Sequence, residues 1–178
     1  VSTMASGDVS RYVGTSDIIM MPSIVDVAGL NQISKLIFKN AVLAMAGMVS
    51  YGDKLNEDTD EHKPLIAATM FGVTTPCIEQ AKAYLEDKGY EVMVFHATGT
   101  GGKTMESLID AGFFAGVLDL TTTEYCDEVV GGILAAGPDR CGAAIRQKVP
   151  QVVSVGACDM VNFGEMDSVP EQFTNRNI

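Results

Sequence analysis

The chain has 178 residues, 47% of them hydrophobic, with 12 Lys+Arg against 23 Asp+Glu and a formal net charge of -11. That length and apolar content can bury a core in one domain or two small ones. A chain so acidic repels phosphodiester backbones and has no basic stripe, which excludes a nucleic-acid binder built on phosphate contacts.

The longest apolar run, Ala41 to Val49, falls far short of the roughly 18 residues that cross a bilayer, so no membrane span is expected. The opening VSTMA has no charged region and cleavage site of a secretory leader, and a start upstream of Val1 stays open. Cys77, Cys126, Cys141 and Cys158 form no CxxC pair and have no nearby His. Neither a zinc site nor a disulfide framework is expected, and a reducing cytoplasm fits.

In chain order, Asp17 to Met21 reads as a short strand and Gln32 to Val49 as a long helix. Ile33, Leu36, Ile37, Phe38, Val42, Leu43 and Met45 surround too much of the helix axis for one stripe. The helix is therefore expected between lobes or against a second subunit. Tyr51 to Lys63 (YGDKLNEDTDEHK) is acidic and aperiodic, as a solvated linker is. Residues 1–50 hold about one strand and one helix, too little for a closed α/β domain, so they read as the C-terminal part of an incomplete first lobe.

From Pro64 onward apolar runs alternate with helical spacing. Strands are predicted at Leu65–Phe71, Tyr90–Phe95, Ala115–Leu120 and Gln151–Val155. Helices are predicted at Pro76–Asp87, Lys103–Ala111, Glu124–Ala136 and Pro138–Gln147. Strands alternating with helices imply βαβ units and a buried parallel sheet over residues 64–178.

Every strand of such a sheet delivers its next loop to one carboxyl edge, where open α/β sheets bind ligands. Four such loops are small and polar: Gly72 to Thr75, His96 to Gly102, Thr121 to Glu124, and Gly156 to Asp159. Glycines admit close backbone approach, and helix-start amides and threonine hydroxyls donate hydrogen bonds, a set suited to phosphate or carboxylate. Gly72, Thr74, Thr75, Thr98, Gly99, Gly101, Gly102, Lys103, Thr122 and Thr123 are the candidate ligand-binding residues. Ala97 through Thr104 matches G-x-x-x-x-G-K-[ST] apart from Ala at its first position. A true phosphate loop, an anion-binding glycine turn of another kind and a structural turn are the three readings, with the second preferred. His96 is a candidate general base or donor, or a strand-end residue only. Glu124 and Asp159 are candidate magnesium ligands or acid/base carboxylates, and Glu124 is equally a first-turn charge favoured by the helix dipole. Cys77, behind Thr75-Pro76, is a nucleophile candidate against the preferred reading of a small half-buried side chain.

The segments MFGVTTPC, VFHATGTGGKTMESLI, GVLDLTTTE, VVGGILAAGPDR and VPQVVSVGACDMVNFG resemble the hallmarks of the Tm-1-like ATP-binding family. This is the family of the inhibitory N-terminal domain of the tomato mosaic virus resistance protein and its bacterial and fungal relatives. GTSDIIMMPSIVDVAGLNQISKLIFKNAVLAMAGMV is similar too, so the resemblance covers nearly the whole chain. It implies two Rossmann-like lobes, ATP or a related nucleotide with magnesium as ligand, and a homodimer. In many relatives it implies a following TIM-barrel domain, and in the plant member inhibition of a viral replication protein. It also implies that the family's first glycine-rich loop lies upstream of Val1. The family accepts Arg where Lys103 stands, which suits a phosphate-facing cation and leans toward an anion-binding turn. A nucleotide-binding module is the leading expectation. An enzyme acting on a small phosphorylated or carboxylated metabolite, and an interaction domain with a protein partner, are the alternatives.

Overall fold

The computed structural model describes residues 1–55 and 63–176, and the chain divides into two units, 1–62 and 63–178. Residues 56–62 of the stretch read as a linker lie outside the described residues.

In the first unit the helix start is written locally. The Asn31 side chain accepts from the amides of Ile33 and Ser34, each at 2.9 Å, while the Ser34 hydroxyl accepts from the Asn31 amide at 2.8 Å. This reciprocal cap satisfies helix-start donors and opens helix α2, Gln32–Leu55. It follows a short helix, α1, at Ser10–Val13. Helix α2 outruns its expected end at Val49 and takes the first residues of the expected linker. Ser34 and Ile37 are buried, whereas Leu36, Val42, Leu43, Met45 and Val49 are exposed. Gln32–Gly52 is long and apolar enough to cross a membrane by length and composition alone, with a mean hydropathy of 1.3. No single run announces this, because Ser34-Lys35 and Lys39-Asn40 interrupt its apolar residues.

The strand expected at Asp17–Met21 does not form. Only Ser2 runs alongside, donating its amide to the Met21 carbonyl at 3.0 Å and accepting from the Ser23 amide at 3.0 Å. A strand needs a neighbouring ladder, and none is present among the described residues of this unit.

In the second unit the apolar runs become β1 (Leu65–Met70), β2 (Glu91–His96), β3 (Gly116–Thr121) and β4 (Gln151–Gly156). They form one parallel sheet in the order β2-β1-β3-β4. Helices α3 (Thr75–Asp87), α4 (Thr100–Asp110), α5 (Thr123–Val130) and α6 (Gly142–Gln147) connect them. The result is the expected α/β, Rossmann-like arrangement of a parallel sheet with flanking helices.

Strand alternation divides the core. Ala68 joins Ile78 of α3 and Val92 on one face, and Ala67 and Val117 join Met105 and Ile109 of α4 and Ala143 and Ala144 of α6 on the other. The connections that follow β1 and β3 run in opposite directions, so the topological switch point lies at the carboxyl ends of these two strands.

Three helix boundaries differ from expectation. Helix α4 begins at Thr100, so Gly101, Gly102 and Lys103 lie in its first turn. Helix α5 stops at Val130 because Gly131 turns left-handed at φ 90°, and the amides of Gly131 and Gly132 close on the Asp127 carbonyl. Helix α6 begins only at Gly142, after Cys141 in the left-handed region at φ 66°.

Candidate functional site

The four loops do meet at one edge of the sheet. Met70 and His96 are register partners at the ends of β1 and β2, and the rings of Phe71 and His96 lie 5.6 Å apart. His96, Gly72, Thr100 and Lys103 are exposed there.

At the switch point the hydroxyls are consumed internally. Thr74 Oγ1 and Thr121 Oγ1 are 2.7 Å apart, and the Thr121 amide donates to Thr69 Oγ1, which donates to Asp119 Oδ1 at 2.8 Å. Thr122 Oγ1 donates to the Ser154 carbonyl at 2.7 Å, and Thr98 Oγ1 to the His96 carbonyl at 3.3 Å. Thr75 is half-buried at the start of α3, whereas Thr123 is fully buried with a hydroxyl that has no partner.

The glycine turn already holds an anion, and that anion belongs to the chain. The Glu124 carboxylate, on a residue 1% exposed, accepts from the amides of Gly99 at 2.6 Å and Gly102 at 3.1 Å. A Cβ on Gly102 would stand 2.2 Å from Glu124 Oε2, so glycine is what lets the carboxylate approach. Gly101 answers a different need: a Cβ there would lie 1.9 Å from the His96 carbonyl oxygen. The physics expected of this turn, helix-start amides drawing negative charge, is satisfied from within.

Glu124 does stand in the first turn of α5, buried, and its carboxylate is engaged within the chain and not free for a magnesium ion. Its Oε2 accepts from Arg140 Nε at 2.7 Å. Arg140, itself 3% exposed, also holds Asp119 bidentately, Nη1 to Oδ2 at 2.5 Å and Nη2 to Oδ1 at 2.7 Å. It reaches Glu106 of α4 at 3.3 Å, and Glu106 in turn accepts from the amides of Cys141 and Ala143 at the start of α6. Burial opposes the guanidinium charge, but the hydrogen bonds and charge of Asp119, then those of Glu124, more than offset it and raise its pKa.

The Cys141 thiol and the Tyr125 phenol titrate high. Burial, then the Asp119 charge, pushes the Cys141 thiol up to about 12, and burial pushes Tyr125, which donates to the Arg140 carbonyl, up to about 12. A second buried carboxylate, Asp127, accepts from the amides of Leu134 at 2.7 Å and Asn162 at 2.9 Å, tying α5 to two loops.

Asp159 is exposed and stands apart from Glu124's network. It lines an apolar cavity of about 920 Å³ between α5 and the segment after β4, along with Cys126, Val130, Met160, Phe163 and Phe173. Burial, then the Cys158 hydrogen bond, pushes the Cys126 thiol in its wall up to about 11. Among the described residues no group of three or more His, Cys, Asp or Glu side chains is placed to hold a metal ion. Cys77 is exposed, and all four cysteines are free.

Arg140 and Glu106 were not singled out from the sequence. The one signal for Arg140 is a lone cation in a small-residue loop, AAGPDRCG, where a solvated side chain is the ordinary expectation.

Residues 63–178 match the C-terminal domain, and residues 1–54 the N-terminal domain, of the uncharacterised protein family UPF0261. The chain belongs to this family. It is 58% identical over 178 residues to a UPF0261 protein of Clostridium tetani (strain Massachusetts / E88), covering all of this chain and 43% of that protein. It is 49% identical over 183 residues to the tomato (Solanum lycopersicum) ToMV resistance protein Tm-1(GCR237), covering all of this chain and 24% of that protein. The ToMV susceptible protein tm-1(GCR26) of the same plant is matched to the same extent, 49% over 24% of its length. The chain thus spans less than half the length of these relatives, and the UPF0261 segment is equally like the resistance and the susceptible protein.

Proposed function

We propose that this chain is part of a nucleotide-binding module, for ATP or a related nucleotide, within a larger cytoplasmic protein. One observation carries the reading. In a chain of net charge -11, the two adjacent loops at the ends of β1 and β2 contain no acidic residue from position 71 to 78 or from 92 to 105, and they expose His96 and Lys103. Two loops without acidic residues of their own and with one exposed cation are suited to phosphate.

The proposed cradle is narrower than the sequence suggests, because Glu124 takes the amides of Gly99 and Gly102. Phosphates would meet Gly72, where a side chain would find open space, together with His96, Thr98 and Lys103. A magnesium ion enters this proposal only as a companion of the phosphates. The four free thiols are in keeping with a reducing compartment.

Homodimer formation through α2 belongs to the same proposal, supported by exposed Leu36, Val42, Leu43 and Met45. Phe38→Glu is expected to dissociate the dimer, and unchanged sedimentation speaks against it. The equal likeness to the resistance and susceptible proteins gives no support to an inhibitory role for the matched segment.

The test of ligand binding is calorimetric titration of ATP, ATP with magnesium, and inorganic phosphate into the full-length protein and its Lys103→Ala variant. Loss of one charge-assisted hydrogen bond of about 1–3 kcal/mol weakens binding roughly 5- to 150-fold. Absence of binding, or equal affinity of both proteins, refutes the proposal.

A further inference from the structure

We infer that β4 is an inner strand in the full-length protein, its free edge paired with a parallel strand and its Val153 and Val155 face covered by a crossover helix, both from the same polypeptide. The sequence of β4, QVVSVG, is an apolar run of the kind parallel strands show when both faces are buried. Its surroundings do not match that pattern. Val152 is 59% exposed, Val153 54% and Val155 80%, whereas Ala67, Ala68 and Val117 of the neighbouring strands are at most 3% exposed.

The exposure is two-sided. Val152 pairs in register with Leu118 and shares its face, and Val153 pairs with Asp119 on the opposite face. The outer edge is open as well. The carbonyls of Pro150, Ser154 and Gly156 are used toward β3 and its following turn, so alternation aims the amides of Gln151, Val153 and Val155 at the free side. Between its ends the strand carries neither lysine nor proline nor an inward charge, and its one edge-breaking feature is the register shift against β3 between Val153 and Gly156.

The occupant follows from what must be covered. A second copy paired edge to edge about a two-fold axis would satisfy the backbone but bring no helix over either valine face. A βαβ crossover supplies a strand and a covering helix together. Polypeptide for it exists in the family, since the chain accounts for only 43% of its Clostridium tetani relative.

Amide hydrogen exchange on the full-length wild-type protein decides the matter. Val153 and Val155 amides are expected to exchange at least about a hundredfold more slowly than in an unstructured peptide, independent of protein concentration. Exchange at unprotected rates overturns the inference, and so does protection that appears only as concentration rises, which identifies a second copy. In the same protein Val155→Lys is expected to lower the melting midpoint by ~5 °C or more, although exposed valines ordinarily tolerate lysine. An unchanged midpoint also overturns it. Should the variant fail to fold, the wild-type exchange rates still decide.

Discussion

Replacing Arg140 with Met removes one guanidinium and strands two carboxylates. Asp119 is 0% exposed and Glu124 1%, and Arg140 supplies two hydrogen bonds to the first and one to the second. Methionine fills much of the same volume, so the change is mainly electrostatic. Breaking a buried ion pair from one side costs about 3–5 kcal/mol, because the partner is left charged without compensation. Thr69 still donates to Asp119, and the amides of Gly99 and Gly102 still donate to Glu124, which holds the expectation near the lower figure. For a unit of this size about 3 kcal/mol corresponds to a fall of ~12 °C or more in melting midpoint. The assay is urea unfolding followed by circular dichroism, with Arg140→Met, Glu124→Gln and the double variant in one cycle. The double variant is expected to be more stable than the sum of the singles by at least about 1 kcal/mol, since neutralising Glu124 removes one stranded charge. An Arg140→Met cost below about 1 kcal/mol, or strict additivity, would show that the cluster is not the linked network described.

Gly102→Ala ordinarily favours a helix by up to about 1 kcal/mol, but here the new Cβ would sit 2.2 Å from Glu124 Oε2, so thermal melting is expected to show destabilisation. A higher melting midpoint would contradict the Glu124 contact. The Cys141 and Tyr125 pKa values stand above their ordinary 9.0 and 10.0 when folded, both at about 12. Their contribution is therefore fully present below pH 9 and is lost as pH rises toward 12. Denaturant midpoints at pH 8 and pH 10.5 should differ in that direction, and Cys141→Ala should flatten the difference. Thr123→Val replaces a buried hydroxyl that has no partner and is expected to leave stability unchanged or raise it by up to about 1 kcal/mol. A loss of that size by calorimetry would reveal a partner.

Residues 64–178 were legible as a parallel α/β sheet because each strand is a short apolar run ended by Gly, Thr or His, and each register partner repeats the pattern. The carboxyl-edge loops followed from the same alternation. Helix α5 was overextended because Val129, Val130, Ile133 and Leu134 keep helical spacing across Gly131-Gly132. What stops it is the left-handed turn at Gly131, closed by the Gly131 and Gly132 amides on the Asp127 carbonyl, a local C-cap that outweighs the apolar spacing. The strand expected at Asp17–Met21 had the composition of a strand but no neighbour. Glu124 was placed correctly at a helix start, as a magnesium ligand, an acid/base carboxylate or a first-turn charge, and its partners stayed hidden because a spacing pattern cannot show a contact 22 or 25 residues away. Arg140 is hidden for the same reason. Its partners Glu124, Asp119 and Glu106 lie 16, 21 and 34 residues earlier, and no local period links them.

Those separations give the charge cluster a kinetic character. Its ion pairs join α4, β3 and α5 to the loop carrying Arg140 across 16 to 34 residues, so the cluster is expected to complete late and to contribute little to nucleation. Interactions completed after the rate-limiting step slow escape from the native state without hastening arrival. Weakening the cluster should therefore steepen loss of the fold under proteolysis or heat while leaving the refolding rate nearly unaltered. The buried arginine acts as a latch that sets how long the folded domain lasts.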